Sequence, residues 1–212
     1  MNVMIEFGSR SLGTARGWRA RVGVACGLLA GAMLAGGGAM GESVVFDFSS
    51  GGESWTSIDD VVMGGRSASE MVIEGGLARF RGHVSLENNG GFASVRSAVG
   101  HHDLSAFDGI RLRVIGDGRS YGFRLRTDPG FDGVSYQAAF ATEAGRTTDV
   151  RLPFAAFEPR YRGRQVPGHP ALDPARIRSF GLIIAERQSG PFELRIESIA
   201  GYGEAAEQEQ AR

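Results

Sequence analysis

The chain contains no lysine: all 23 of its basic residues are arginine. That absence removes Schiff-base chemistry and the lysine of a phosphate loop from the mechanisms open to it. Cysteine is almost absent too. Cys26 is the only one, and it sits at the front of an N-terminal apolar run, so the rest of the chain has neither a disulfide nor a thiolate nucleophile. A lipoprotein cysteine would end such a run, with leucine or a similar residue three places before it, where this chain has Gly23. Positive excess is missing as well. The formal net charge is −1, and nucleic acid is not an expected partner. Helical periodicity is also missing: only Pro153–Phe157 and Pro174–Arg178 suggest a helical turn.

What is present is glycine, 33 of 212 residues, and an alternation of period two from Val44 onward. Val44–Phe48 reads as a first strand. Met71–Ile73, the Gly75-Gly76 turn and Leu77–Leu86 read as a hairpin. Asn88-Asn89-Gly90-Gly91 is a turn, followed by the strand Phe92–Arg96. Ile110–Val114 and Tyr121–Arg126 alternate on either side of Gly116-Asp117-Gly118, which reads as a hairpin turn and not as a phosphate loop. Further strands are expected at 134–140, 147–152, 179–185 and 192–199. Many short strands with glycine-rich turns predict an all-β sandwich. The longest stretch without a strand, Glu158 to Asp173, is expected to be a single loop.

Residues 1–41 differ in composition. Arg10, Arg16, Arg19 and Arg21 precede an apolar run from Val22 to Ala35 and a small-residue tail. This order predicts a secretory signal cleaved near Ala39 or Gly41, or else an N-terminal membrane anchor. Periplasm or cell envelope is the expected location, with inner-membrane anchoring as the alternative. Membrane contact would then come only through an uncleaved leader. Without residues 1–39 the chain has 19 arginines against 23 acids. Residues 204–212 are expected to be a flexible polar tail.

The tract Asp60-Val-Val-Met-Gly-Gly-Arg-Ser67 resembles a signature of the CIA30 family, named for the mitochondrial complex I intermediate-associated protein 30. The likeness continues through Gly90–Arg96, Gly116–Tyr121, Leu152-Pro153-Phe154 with Phe157, Arg162-Gly163-Arg164 and Gly190-Pro191-Phe192. It covers about residues 44–201. The resemblance implies a galactose-binding-domain-like jelly roll over residues 42–203, and an assembly role of the kind the mitochondrial protein has. Two departures are visible. Asp59-Asp60 stands where members often have Asn-Asp, and Thr147-Thr148-Asp149 lacks a tryptophan common before the Leu-Pro-Phe.

Within the signature, Asp60 is expected to accept backbone donors from its own turn. Gly64 and Gly65 would supply unusual backbone angles, and Trp55 and Met63 would close one end of the core. Asp59 and Asp60 are adjacent and would not converge on a metal. No cofactor is expected; a structural calcium at Asp47 or Asp60 is the option suggested by galactose-binding-like relatives. The four histidines, His83, His101, His102 and His169, lie in separate settings and compose no triad.

Arg111, Arg113, Arg124 and Arg126 alternate with apolar residues in two candidate neighbouring strands, opposite Leu112 and Leu125. They form either a solvated face paired with acids or one concave face that forks onto carboxylates or sugar hydroxyls. Tyr121, Phe131, Tyr136 and Tyr161 would supply stacking planes. Tyr161, Arg162 and Arg164 form the densest basic spot, a candidate protein contact. The leading function is a non-enzymatic protein-interaction domain, assembly-like or chaperone-like. A carbohydrate-binding module is the alternative, and a hydrolase using scattered acids the third.

Overall fold

Alternation builds nearly every element of the computed structural model, which describes residues 43–49 and 54–203. The expected signal or anchor at 1–41 and the polar tail at 204–212 lie outside the described residues. The strands are β1 (Ser43–Asp47), β2 (Trp55–Ser57), β3 (Ala68–Glu74), β4 (Leu77–Val84), β5 (Ala93–Ser97), β6 (Gly109–Ile115) and β7 (Ser120–Arg126). They continue with β8 (Ser135–Ala141), β9 (Thr147–Pro153), β10 (Glu158–Tyr161), β11 (Arg164–Gln165), β12 (Ser179–Ile184) and β13 (Gly190–Tyr202).

Two antiparallel sheets face each other. One has the order β3-β4-β13-β6-β9, with β1 also pairing β13. The other runs β11-β10-β8-β7-β12-β5-β2. In each strand alternate residues point inward. Phe80, Leu112, Leu194 and Ile196 from the first sheet meet Phe123, Leu125, Phe180 and Leu182 from the second, and none is as much as 2% exposed. Each such side chain contributes roughly 1.5–3 kcal/mol by leaving water. Edge-to-face contacts such as Phe46 on Phe180, at 5.1 Å, lock the sheets in one relative packing.

The Gly75-Gly76 hairpin forms as read, with Glu74 opposite Leu77 and both glycines at positive φ. Two expectations fail. Gly116-Asp117-Gly118 is not a hairpin turn: β6 pairs β13 and β9, whereas β7 pairs β8 and β12. The tract carries the chain from one sheet to the other. Asp117 fixes that crossing by accepting the Tyr121 hydroxyl at 2.9 Å and the Glu193 amide at 3.0 Å. The expected loop from Glu158 contains a second tight hairpin, β10–β11, turned by Arg162 and Gly163 at φ 48° and 78°. Its strands are too short to show an alternation in the sequence.

Candidate functional site

The signature turn is a rigid projection. Asp60 is fully buried and opens a 3-10 turn, Asp60–Met63. Its carboxylate accepts the Ser67 amide at 2.8 Å, the Ser67 hydroxyl at 2.5 Å, the Gly91 amide at 2.7 Å and the Phe92 amide at 3.2 Å. The donors come from the flanking segments, not from its own turn as expected. Burial pushes the carboxyl up, but these donors outweigh it and hold Asp60 below the usual carboxylate range. Asp59 faces elsewhere and ties the two sheets together. It accepts the Ser69 amide and hydroxyl from β3 and the Ser94 amide from β5.

Gly64 closes the turn at φ 90°, while Gly65 is required for space, since a Cβ there would lie 2.3 Å from Asp60 Oδ1. The turn does not close the core through Met63. Val61, Val62 and Met63 are 61%, 68% and 62% exposed, so three successive apolar side chains point away from the sandwich. Trp55 does pack inward, with its ring 5.4 Å from that of Phe46.

The four alternating arginines do not share a face. Each points outward as expected, but β6 and β7 belong to different sheets, so the pairs lie on opposite sides of the sandwich. The sequence shows alternation, not pairing order. On the six-stranded side, Arg111 and Arg113 both reach Asp149, at 2.9 and 3.4 Å, and Arg113 also reaches Glu197 at 2.5 Å. Arg81 pairs with Glu70, and Arg195 with Glu193. This is the solvated, acid-paired face.

The seven-stranded side differs. Strand register sets one row across it: Thr56, Arg96, Gly181, Arg124, Gln137 and Glu158. Among the described residues neither Arg96 nor Arg124 pairs with a carboxylate. Arg124 Nε donates to the neutral Gln137 at 2.9 Å. Arg96 donates to the Phe131 carbonyl at 2.9 Å and lies over the Phe131 ring at 5.5 Å. Arg126 is 4% exposed, donates to the carbonyls of Phe131 and Asp132, lies 3.9 Å from the Asp128 carboxylate, and has a buried Nε with no partner. The Arg160 Nε is also buried without a partner, although its Nη2 reaches Glu158 at 3.2 Å. Burial first, then Arg96, Arg160 and Arg126, push Arg124 down to about 10, so it remains charged at neutral pH.

Of the expected stacking planes, Tyr121 and Tyr136 are core residues, 2% and 4% exposed, because alternation turns them inward. Phe131 and Tyr161 are exposed. Tyr161 and Arg162 both donate to Asp132 Oδ2, and the Arg162 guanidinium lies 5.2 Å from the Tyr161 ring. Arg164 is exposed on β11. Sequence reasoning missed Arg96 and Gln137. The alternation of Phe92–Arg96 marked Arg96 as outward, but only register brings it beside Arg124.

A recess of about 570 Å³ on the six-stranded side is lined by Glu70, Asp117 and Glu193 among others. Each of these carboxylates already accepts a donor, Arg81, Tyr121 or Arg195 respectively. Among the described residues no group of three or more His, Cys, Asp or Glu side chains is placed to hold a metal. The Asp60 oxygens face N–H and O–H donors, and Asp47 accepts the Ser49 amide.

The model of the family described as complex I intermediate-associated protein 30 matches residues 44–196. The chain belongs to this family. An uncharacterized protein of Schizosaccharomyces pombe is 30% identical over 69% of this chain and 77% of its own length. The mitochondrial complex I intermediate-associated protein 30 of Drosophila melanogaster is 26% identical over 74% of this chain, which spans 61% of the fly protein. Among solved structures, a family 11 carbohydrate-binding module of Clostridium thermocellum, in complex with a mixed-linked tetrasaccharide, has a TM-score of 0.59 at 20% identity. That match covers 77% of this chain and 96% of the module, and it shows the galactose-binding-like sandwich.

The relatives bearing the family name are mitochondrial proteins, which overturns the periplasmic or envelope location and its inner-membrane alternative. A basic stretch before a short apolar run reads as an export signal. Four arginines with the lone acid Glu6 equally match the arginine-rich, acid-poor composition of an organellar transit segment.

Proposed function

We propose that this member of the CIA30 family is a non-enzymatic interaction domain that holds a protein partner during assembly of a complex of the respiratory complex I type. One observation carries the reading. Val61, Val62 and Met63 are presented to solvent on a turn whose first residue is fully buried and held by four hydrogen bonds. Exposed apolar side chains on a rigid anchor mark contact sites, because their burial adds binding energy with little ordering cost. The family's name supplies the kind of partner. The carboxylates lining the recess are each engaged by a donor, Arg81, Tyr121 or Arg195, which favours binding over hydrolysis.

The test is capture from detergent-solubilised membranes by the tagged native chain, a Val62→Asp variant and a Met63→Ser variant. Complex I subunits retained by the native chain and lost with Val62→Asp support the reading. Equal capture by all three removes the turn from the interface. Complete failure of the native chain to retain them argues against the assembly role. The alternative, a carbohydrate-binding module, has the fold in its favour, but of its expected planes Tyr121 and Tyr136 are buried in the core, leaving Phe131 and Tyr161.

A further inference from the structure

On the outer face of the seven-stranded sheet arginine outnumbers acid: Arg126 lies 3.9 Å from Asp128, Arg160 pairs with Glu158 and Arg162 with Asp132, while Arg96 and Arg124 reach no carboxylate. Arg96 and Arg124 flank Gly181 in a single register row, Arg126 adjoins them on β7, and Arg160 lies on β10. The direct partners of Arg96 and Arg124 are neutral, although Glu158 ends the same register row. Gln137 receives Arg124, and a backbone carbonyl receives Arg96. The floor between the arginines is low. A Cβ at Gly181 would stand 3.0 Å from the Val95 carbonyl, and one at Gly122 would stand 2.8 Å from both Gln137 Nε2 and Ile183 Cγ2. The Nε groups of Arg126 and Arg160 are buried and lack an acceptor.

An arrangement of this kind costs stability, since like charges are gathered and partly dehydrated. It becomes favourable when carboxylates arrive, because a guanidinium fork takes a carboxylate through two parallel N–H···O bonds. We propose that this face binds an acidic, extended peptide segment, with carboxylates seated on Arg96 and Arg124 across Gly181. The two arginines are separated by one strand, hence by about 10 Å, while alternate residues of an extended peptide are about 7 Å apart. Flexible glutamate and arginine side chains close the difference. A sugar chain has fewer stacking planes than expected, because Tyr121 and Tyr136 point inward and the exposed Phe131 and Tyr161 rings each carry a guanidinium on one side, Arg96 and Arg162. The proposal rests on the protein-partner reading but uses a surface separate from the Val61–Met63 turn.

The test is fluorescence anisotropy at low and moderate salt, using a labelled peptide of alternating glutamate and serine. The same peptide with glutamine for glutamate and unlabelled polygalacturonate serve as comparisons. The full chain binds the glutamate peptide, binding falls with salt, and Arg96→Gln and Arg124→Gln each weaken it at least about tenfold. Arg124→Lys, which keeps the charge and loses the fork, weakens it less than Arg124→Gln. Arg111→Gln, on the opposite face, leaves it unchanged. Equal binding of the glutamine peptide overturns the proposal, as does indifference to both Arg→Gln changes. Binding of polygalacturonate without the peptide overturns it in favour of an acidic polysaccharide. Complex I capture that is lost with Val62→Asp but untouched by Arg96→Gln and Arg124→Gln removes this site and leaves the assembly reading standing.

Discussion

The two outer faces of the sandwich use the same residue for opposite ends. On the six-stranded side, arginines at Arg81, Arg111, Arg113 and Arg195 each meet a carboxylate from a neighbouring strand. On the seven-stranded side, Arg96 and Arg124 meet a carbonyl, a ring and an amide. Both sides show outward arginines in an alternating strand. Partner chemistry separates them: the charges of Arg81, Arg111, Arg113 and Arg195 are met by acids, and those of Arg96 and Arg124 are not. Each side nevertheless has an arginine Nε buried without a partner, Arg79 on the first and Arg126 and Arg160 on the second. Surface ion pairs of the first kind contribute little to stability. In the like-charge group of the second kind, Arg96 and Arg126 hold the Phe131–Asp132 loop through its carbonyls, whereas Arg124 has only Gln137 in return for its burial.

The largest effect comes from a change that loosens both faces at once. Asp60 holds the loop ends beside β3 and β5, and Asp60→Ala would leave the amides of Ser67, Gly91 and Phe92 without their acceptor. A loss of about 3–5 kcal/mol is expected, read as a fall in the urea midpoint. Gly65→Ala should act in the same direction, by driving a methyl group into the Asp60 carboxylate. The pH dependence has a definite sign. Asp60 is depressed in the folded state, so its contribution is complete above the unfolded value near 3.9 and is lost as pH falls from there through the folded value. Asp60→Asn should therefore flatten acid unfolding below about pH 4. An unchanged acid limb would mean that another carboxylate governs it.

A smaller change compares the faces directly. Arg124→Met replaces a half-buried cation without a carboxylate partner by an apolar chain of similar length, and is expected to stabilise by about 1 kcal/mol. Arg113→Met strands Glu197 and leaves Asp149 to Arg111 alone, and should destabilise slightly. Opposite signs in thermal melts support the contrast. The same sign for both would mean that the unpaired face costs no more than the paired one.

Inward and outward sides of nearly every strand were legible because alternation is local. Leu112, Leu125 and Phe180 could be assigned to the core and the arginines to the surface from neighbours alone. The partner of each strand was not legible. β6 and β7 are consecutive and similar in pattern, yet the Gly116–Gly118 tract passes between sheets, so four arginines that look like one group are two. The same gap hid the row joining Arg96 to Arg124, whose strands touch only through β12. Tyr121 and Tyr136 were legible as inward by the same rule that placed the arginines outward, and grouping them with the arginines ignored it. Met63 was misplaced for a different reason. A turn anchored by a buried acid can hold its apolar residues outward, against their own preference, and the donors to Asp60 come from residues 7, 31 and 32 positions away.

The smallest effect concerns salt, and it should separate the faces without any ligand in hand. Screening weakens attraction between Arg113 and its acids and also weakens repulsion among Arg96, Arg124 and Arg126, over a Debye length of about 10 Å at 0.1 M. The two contributions oppose each other, so sodium chloride should move the melting temperature little. Citrate presents several carboxylates on one small molecule and binds where guanidinium groups converge, adding stability by mass action. At matched ionic strength, citrate should therefore raise the melting temperature of the native chain more than chloride does. That excess should shrink in Arg124→Met and persist in Arg113→Met. An excess that persists in Arg124→Met would place the anion elsewhere and dissolve the distinction between the faces.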